Sequence, residues 1–327
     1  MSFSPAPAEN GFRNSSLWSW GGGVLLVDGV YHLYASAFIE GCGLNYWTTN
    51  SVAIHATSTS ALGPFQFADR ALPFYHHNVQ PIRAPDGTFL IFSIGMAAEP
   101  EPARCRRGAV AAPPPLEHGF ETTEVWSAPT AEGPWSPVAG SVNGRNIINS
   151  TNPSPFILPN GTVYVMGHDG EHLFHVSVAP SWRGPYSEPR AVFNTAVDGY
   201  TGEDPLLWYD AAIPNAEGGT GAWRVLYHMY NVSDPRHQFR VGGYAQSAGP
   251  DIFGAWAVQP NETPAYTQNF TAFVQGSSGP TQTTTLARRE RPKLFLDPAT
   301  GAPAVLYSGV CAPATGNECF TIAAPIA

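Results

Sequence analysis

Positive charge is scarce in this sequence. The 327 residues contain 16 lysines and arginines against 25 aspartates and glutamates, which gives a formal net charge of -9, and Lys293 is the single lysine. A protein that binds nucleic acid needs a basic surface to neutralise phosphates. The composition therefore argues against nucleic acid as a partner.

Long apolar runs and the cysteine spacings of zinc sites are also missing. No stretch of about 18 apolar residues occurs, the length that a membrane-spanning helix requires, so we expect no membrane contact. The four cysteines form no C-x-x-C pair. Cys311 and Cys319 bracket a turn-rich segment and favour a local disulfide, while Cys42 and Cys105, which follow the first two hairpins, favour a second one. Four reduced thiols are the alternative.

Glycine, proline and apolar residues are abundant by contrast. The sequence has 33 glycines and 32 prolines, which fit a fold made of turns, and an apolar share of 43%, which suffices for a packed core. Five apolar hairpins follow one another, with turns at 28–29, 85–87, 159–161, 210–221 and 297–301. The first three turns contain Asp-Gly or Asn-Gly, the strongest short-range hairpin signal.

Each hairpin has a polar or aromatic start, and four of the five starts contain proline. The starts are W-S-W-G at 18–21, N-V-Q-P at 78–81, N-P-S-P at 152–155, G-E-D-P at 202–205 and R-E-R-P at 289–292. Strand pairs that repeat at this spacing are typical of small sheets arranged radially. We therefore predict an all-β fold, a five-bladed β-propeller that forms a single domain over residues 1–327, with blades that start near residues 18, 77, 151, 202 and 289.

The ends of the chain bear on how such a ring would close. The last repeat leaves room for about three strands, and we expect the segment before Trp18 to supply the fourth and to cover an exposed sheet edge. Segment 260–286 is polar and is expected to be a long connection, and segment 96–121 a loop at the rim. We expect a monomer.

The starts of the five repeats should meet at one mouth of the propeller channel, because the first strand of each blade lines that channel. We predict a carbohydrate site there, since aromatic rings stack on sugar faces and amide, imidazole and guanidinium groups bind sugar hydroxyls. The predicted substrate-binding residues are Trp18, Trp20, His77, Asn78, Asn152, His168, Asp169, His228, Arg289 and Arg291.

Three acidic residues lie at these starts, namely Glu203, Asp204 and Glu290. Cleavage of a glycosidic bond requires one protonated carboxyl group for the leaving oxygen and one ionised carboxylate as base or nucleophile. Neighbours in an extended strand point to opposite faces, so Glu203 and Asp204 need not both face the pocket. Glu290 lies between two arginines, whose charges favour its ionised form. We predict Glu203 or Asp204 as the general acid and Glu290, or the other member of the pair, as the base.

The ordered set of motifs resembles the five-bladed propeller glycosidases of glycoside hydrolase family 43. The motifs are W-G-G at 20–22, D-G-V-Y-H at 28–32, C-G-L at 42–44 with Trp47, N-S at 50–51, H-N at 77–78, N-P at 152–153, E-D-P at 203–205, Y-H at 227–228 and E-R-P at 290–292. The resemblance implies a hydrolase with an Asp in the first blade as base, an Asp in the second that adjusts the acid's pKa, and a later Glu as acid. Here the first position reads Trp20-Gly21 and the second reads His77-Asn78, so two of the three expected carboxylates are absent.

Several of these residues have plainer alternative roles. Glu203 and Asp204 could cap the turn at Gly202, and residues 289–291 could form a structural ion-pair cluster. Trp18 and Trp20 could belong to the core, and 168–169 to a turn. His228 resembles a channel histidine near which a water or cation binds, or else it is a core residue. No ligand spacing joins the histidines, so we predict no metal or other cofactor apart from such a channel cation near His228.

The sequence thus favours a secreted glycoside hydrolase that acts on a poly- or oligosaccharide. Six Asn-X-Ser/Thr sites, at Asn14, Asn149, Asn160, Asn231, Asn261 and Asn269, support an extracellular glycoprotein, although the first residues carry no apolar leader. The alternatives are a carbohydrate-binding propeller that has lost catalysis, a polysaccharide lyase, and a structural propeller that binds protein.

Overall fold

A computed structural model of the chain describes residues 1–96, 101–105, 121–138, 146–148, 150–168, 173–196, 199–231, 241–260, 263–273, 281–313 and 318–327. Most of the rim loop expected at 96–121, and the acceptor residues Asn149 and Asn261, lie outside this part. Within it the regular secondary structure is almost entirely strand, as predicted. Helical residues are limited to a 3-10 turn, Leu44–Tyr46, and one α-helical turn, α1, Trp47–Asn50. In the described residues no helix has the length and apolar character needed to span a membrane.

Four-stranded antiparallel sheets, one with an additional short strand, follow one another along the chain. After a short strand β1 (Ala6–Pro7), the first sheet consists of β2 (Trp18–Val27), β3 (Val30–Phe38), β4 (Ser51–Ser58) and β5 (Gln66–Phe74). The second consists of β6 (His77–Arg83), β7 (Phe89–Met96), β8 (Glu121–Ala128), β9 (Ser136–Pro137) and β10 (Asn146–Ile148). The third consists of β11 (Thr151–Ile157), β12 (Val163–His168), β13 (Leu173–Ala179) and β14 (Arg190–Asn194). The fourth consists of β15 (Tyr200–Pro214), β16 (Thr220–Asn231), β17 (Val241–Ser247) and β18 (Trp256–Val258).

The remainder of the chain forms two three-stranded sheets. In the smaller one, β19 (Asn269–Phe273) pairs with β20 (Gln282–Thr285) and, in parallel, with β1. The fifth main sheet consists of β21 (Arg288–Leu296), β22 (Pro303–Cys311) and β23 (Cys319–Pro325). Segment 260–286, which we expected to be a connection, thus contains strand, because β-branched threonines such as Thr271 and Thr283 suit cross-strand pairing.

The hairpin turns agree with the sequence in the first three repeats and differ in the fourth. Asp28 and Gly29 both have positive φ, 50° and 82°, as a type I′ turn requires. The loop expected at 210–221 is shorter than predicted, because β15 and β16 extend into it and only residues 215–219 make the turn. Both predicted disulfides are confirmed, Cys42 with Cys105 and Cys311 with Cys319.

The first strands of the five main sheets contact one another in chain order. Strand β2 packs on β6, β6 on β11, β11 on β15 and β15 on β21, and β21 packs in turn on β2. The apolar later halves of all five strands border one cavity of about 260 Å³. Residues that start these strands are therefore close in space although they lie far apart in the sequence.

Every first strand contains the same irregularity near its start. A residue with a positive φ lies there, followed in β2 by a second one, Gly22 (115°), and the pairing with the next strand shifts register at that point. The five residues are Gly21 (64°), Asn78 (51°), Asn152 (54°), Asp204 (60°) and Arg291 (58°). Asparagine and aspartate tolerate this conformation better than most residues, whereas arginine does so only where its surroundings hold it. The kink interrupts the alternation of side chains along each strand.

The N-terminal segment lies along the outer edge of β23. Phe12 and Thr321 exchange backbone hydrogen bonds, and Ser4 donates to the carbonyl of Pro325. The Phe12 ring is buried with Val24 and Ala323 in the core around the first and fifth sheets. The segment is therefore part of the packed structure and protects a strand edge.

We predict that Phe12→Ala lowers the free energy of unfolding by about 3–5 kcal/mol, because the ring is 1% exposed and its removal leaves a cavity. Denaturant unfolding measures the loss. Phe67→Ala is the matched control, since Phe67 is 47% exposed and should cost far less. Equal effects of the two substitutions would contradict the packing described for the N-terminal segment.

Candidate functional site

A pocket of about 570 Å³ lies where the first strands begin. Strands β2, β11, β12, β15 and β21 contribute to its wall, and the segment 44–47 contributes the rest. The lining residues are Trp20, Leu44, Asn45, Trp47, Asn152, His168, Glu203, Arg288, Glu290 and Arg291. It combines two indole rings with carboxylate, guanidinium, imidazole and amide groups.

The floor of the pocket is a hydrogen-bonded cluster of the residues that have a positive φ. The Arg291 guanidinium donates from Nη1 to Oδ1 of Asp204 and to Oδ1 of Asn152, the latter at 2.6 Å. Asn78 donates from Nδ2 to the same Asn152 oxygen at 2.9 Å. Gly21, the fifth member, leaves room for the arginine, because a Cβ atom there would lie 3.0 Å from Cβ of Arg291. The side chain missing from the first strand is thus replaced by one from the fifth sheet.

The residues that precede the five positive-φ positions are Trp20, His77, Thr151, Glu203 and Glu290. Trp20, Glu203 and Glu290 border the pocket. His77 is buried beneath Trp47, with ring centroids 4.9 Å apart, and its Nδ1 lies 2.8 Å from Oγ of Ser51. Burial lowers the pKa of His77 well below its usual value, so this ring is neutral.

The three predicted catalytic acids come together with one histidine. One carboxylate oxygen each from Glu203, Asp204 and Glu290 and one ring nitrogen of His228 all lie within 4.8 Å of one another. Nδ1 of His228 is 3.1 Å from Oε1 of Glu203 and 3.7 Å from Oδ2 of Asp204. The left-handed kink explains why both members of the adjacent pair reach this cluster, although Asp204 is 1% exposed and does not border the pocket.

The surroundings shift the pKa values of Glu203 and Asp204 in opposite directions. Burial raises the pKa of Asp204 to about 7, with Arg291 opposing and Glu203 reinforcing the shift. Burial alone would also raise the pKa of Glu203, but the hydrogen bond and charge of His228 outweigh it and hold the pKa below its usual range. Burial lowers the pKa of His228, yet the surrounding carboxylates, Glu290 foremost, raise it overall. These surroundings therefore favour an ionised Glu203 beside a protonated His228.

Six of the predicted site residues line the pocket, and the others lie elsewhere. Trp20, Asn152, His168, Glu203, Glu290 and Arg291 border it. Asn78, His77, Asp204 and His228 are buried immediately around these residues, where they support them instead of facing the pocket. Asp169 lies outside the described residues.

Two predicted substrate contacts, Trp18 and Arg289, are placed apart from the pocket. Trp18 is buried with Phe38 and the disulfide Cys311–Cys319, so it belongs to the core. The Arg289 guanidinium is also buried, and it donates to the carbonyl oxygens of residues 267 and 269. Alternation along β21 directs it toward β19, because Arg289 precedes the kink at Arg291.

Four further residues line the pocket that the sequence did not predict there, namely Leu44, Asn45, Trp47 and Arg288. Segment 44–47 reaches the pocket because the disulfide Cys42–Cys105 anchors it, and Asn50 Nδ2 donates to the carbonyl of Ala103 at 2.7 Å. A tryptophan five residues after a bridged cysteine was the available signal. Nothing in the sequence distinguishes Arg288 from Arg289 and Arg291.

Within the described residues, the group able to hold a metal ion is the cluster of Glu203, Asp204, His228 and Glu290. Oxygen-rich sites of this kind suit Ca²⁺ or Mg²⁺. Much of their negative charge is already balanced, because Arg291 binds Asp204 and the His228 imidazolium faces Glu203. Three other histidines, His55, His77 and His168, are not part of this cluster.

Lys293 is buried two residues beyond Arg291. It is 1% exposed, and its Nζ has no hydrogen-bond partner among the described residues. Burial lowers its pKa to about 7, against the attraction of Asp204 and with the help of Arg291. A lysine in this state is costly to keep charged.

We predict that Lys293→Met flattens the pH dependence of stability. The pKa of Lys293 in the folded protein lies below the unfolded value of ~10.4, so the unfolded chain binds the proton more tightly. Because of this group, the free energy of unfolding of the wild type rises as the pH increases from about 7 to ~10.4. Methionine cannot titrate and loses this gain. Melting temperatures of both proteins between pH 7 and 10 measure it. If the melting temperatures of the two proteins changed in parallel with pH, the burial of the Lys293 ammonium would be contradicted. The chain has no other lysine that could contribute to the difference.

Comparison with known proteins identifies the fold. No protein-family model matches the sequence, and a search of curated proteins gives no match either. Among solved structures, similar ones include an endo-arabinase from Bacteroides thetaiotaomicron, 12% identical with a TM-score of 0.58, over 100% of this chain and 98% of that one. Another is an α-L-arabinofuranosidase from Podospora anserina in complex with cellotriose, 9% identical with a TM-score of 0.60, over 99% and 94% of the two chains.

A third similar structure is a thermostable family-43 glycoside hydrolase. It is 11% identical with a TM-score of 0.61, and the match covers 99% of this chain and 92% of that chain. At such low identity the likeness concerns the fold alone. It confirms, at that level, the predicted resemblance to the family-43 glycosidases.

Proposed function

We propose that the protein is a glycoside hydrolase that cleaves a poly- or oligosaccharide in the pocket, with Glu203 and Glu290 as its two reacting carboxyl groups. The observation that carries this proposal is that both residues line the same pocket, with carboxyl oxygens within 4.8 Å of each other. Trp20 and Trp47 give the pocket aromatic faces suited to sugar rings.

The finer architecture is part of the same proposal. We infer that the five main sheets are the five blades of one propeller domain, which the N-terminal segment closes by lying against β23. The cyclic contacts of the first strands and the backbone pairing of Phe12 with Thr321 support this arrangement. It would give all five blade starts a common mouth, and the pocket would be that mouth.

The surroundings of the two glutamates suggest different roles for them. The His228 imidazolium favours the ionised form of Glu203, which suits the group that acts on the anomeric carbon directly or through water. Glu290 is then the proton donor to the leaving oxygen. Asp204, held by Arg291 below the pocket surface, is left as an electrostatic neighbour. This reverses the order that the sequence favoured for Glu203.

The substrate class and the cellular location are further parts of the proposal. The arabinase and arabinofuranosidase neighbours make glycans of pentose sugars the first substrates to test. Two disulfides and the Asn-X-Ser/Thr sites support secretion, since disulfides persist in oxidising compartments. We propose no metal cofactor, because Arg291 and His228 already balance the acidic cluster, although that cluster is where a channel cation would bind.

A binding protein without turnover is the second candidate. Gly21 and Asn78 stand where the resemblance expects aspartates, and Arg291 fills the space next to Gly21. Such a protein would retain the aromatic faces and the amide and imidazole groups of the pocket. It would bind a glycan that it does not cleave.

We predict that the wild-type protein releases reducing sugar from a member of a panel of arabinan, arabinoxylan and other plant and algal glycans. Glu203→Gln and Glu290→Gln should each lower kcat by about 10²–10⁴-fold, the usual contribution of general acid or base catalysis. Glu9→Gln is the matched control, since Glu9 is exposed and is not among the residues that line the pocket. Assays with EDTA and with added Ca²⁺ test the absence of a metal requirement.

The leaving group separates the two roles. A dinitrophenyl glycoside of the preferred sugar needs no proton donor, so Glu290→Gln should retain most of its activity on it and Glu203→Gln should not. The reverse pattern would exchange the two assignments. Full activity of both variants on the natural glycan would reject the site, and binding without release of sugar by the wild type would favour the second candidate.

A further inference from the structure

The amide of Asn152 has its orientation fixed by its neighbours. Its Oδ1 accepts hydrogen bonds from Nη1 of Arg291 at 2.6 Å and from Nδ2 of Asn78 at 2.9 Å. A guanidinium has only donors, so the atom facing it must be the amide oxygen. The amide cannot be turned over without placing its NH₂ group against the arginine.

The other end of the same amide contacts His168. Nδ2 of Asn152 is 2.7 Å from Nε2 of His168. Because Nδ2 carries only hydrogens, Nε2 must accept and therefore has no proton of its own. A neutral imidazole with an unprotonated Nε2 bears its proton on Nδ1. A doubly protonated ring would set two donors against each other at this distance.

We propose that Asn152 is a positioning residue that keeps His168 neutral, with its single proton on Nδ1, and that the chain of hydrogen bonds from Arg291 through Asn152 imposes this state. The role in catalysis rests on the proposed function, whereas the protonation state does not. His228 is then the imidazolium next to Glu203, and His168 contributes a neutral polar face to the pocket wall.

Two imidazoles, those of His168 and His228, lie near the reacting acids, and a neutral His168 adds no second positive charge to them. His168 borders the same pocket as Glu203, a carboxylate that by itself would attract a proton to the ring. The donor from Asn152 opposes that attraction at short range. The other charged groups on the pocket wall are Arg288, Glu290 and Arg291, all from β21.

The direct test is the tautomer of His168 in the wild-type protein. We expect NMR of ¹⁵N-histidine-labelled protein to show a neutral ring protonated on Nδ1 and unprotonated on Nε2, with no titration between pH 5.5 and 8 (about the range in which a free histidine titrates). Comparison with His168→Gln assigns the resonance among the ten histidines. A proton on Nε2, or uptake of a second ring proton near pH 6.5 as in a free histidine, would overturn the proposal.

Replacing the amide of Asn152, a hydrogen-bond donor to His168, with a carboxylate acceptor should reverse the protonation of the ring. In Asn152→Asp one carboxylate oxygen can still accept from Arg291 while the other accepts from His168, so the ring should take up a proton on Nε2 and its pKa should rise by ~1–3 pH units relative to the wild type, the effect of one adjacent opposite charge. Asn160→Asp, at an exposed turn, is the matched control and should leave the His168 spectrum unchanged.

The kinetic readout follows the spectroscopic one. If the pocket is a hydrolase site, the pH dependence of kcat/KM in Asn152→Asp should acquire a new limb at the titration point of His168, which the wild type lacks. An unchanged His168 titration in this variant would contradict the positioning role. A shifted titration with no hydrolysis by any form would uphold the proposal and count against the proposed function, and the wild-type tautomer decides the matter if the variant does not fold.

Discussion

The pairing of the Arg291 guanidinium with the Asp204 carboxylate and the Asn152 amide is the interaction on which the site depends. Both charged groups are almost completely buried, and removing one partner of such a pair typically costs ~3–5 kcal/mol because it leaves the other uncompensated. All three residues have a positive φ, a conformation that costs about 1–3 kcal/mol for most side chains. The hydrogen bonds hold the strands in this shape.

The kinks that this cluster stabilises decide which side chains reach the pocket. In β15 and β21 the residue before the kink, Glu203 or Glu290, borders the pocket, while Asp204 and Arg291 belong to the hydrogen-bonded floor. Gly21 completes the arrangement by lacking a side chain, which gives the arginine its space. An acidic pair adjacent in the sequence thus divides into one group that borders the pocket and one that sets its charge.

The sequence predicted the strands better than the site, for a physical reason. Turn residues and the alternation of apolar residues are local signals, so the hairpins, the strand starts and both disulfides could be predicted from them. The kinks needed the neighbouring sheets, because nothing local places Arg291 at a positive φ. Without them, Arg289 and Arg291 looked equivalent, yet one binds backbone carbonyls near β19 and the other forms the floor. Trp47 reaches the pocket through a loop whose path the Cys42–Cys105 bridge determines.

The central claim is that a sugar chain binds above the Arg291 cluster with its scissile bond between two glutamates. A crystal structure of the Glu290→Gln variant with the glycan that the wild type degrades tests it most directly. We expect a sugar ring beside Trp47, its anomeric carbon facing Glu203, and the scissile oxygen at hydrogen-bond distance, ~2.6–3.2 Å, from the side chain at position 290. A glycan bound away from this pocket, or one whose scissile bond reaches neither residue, would contradict the account.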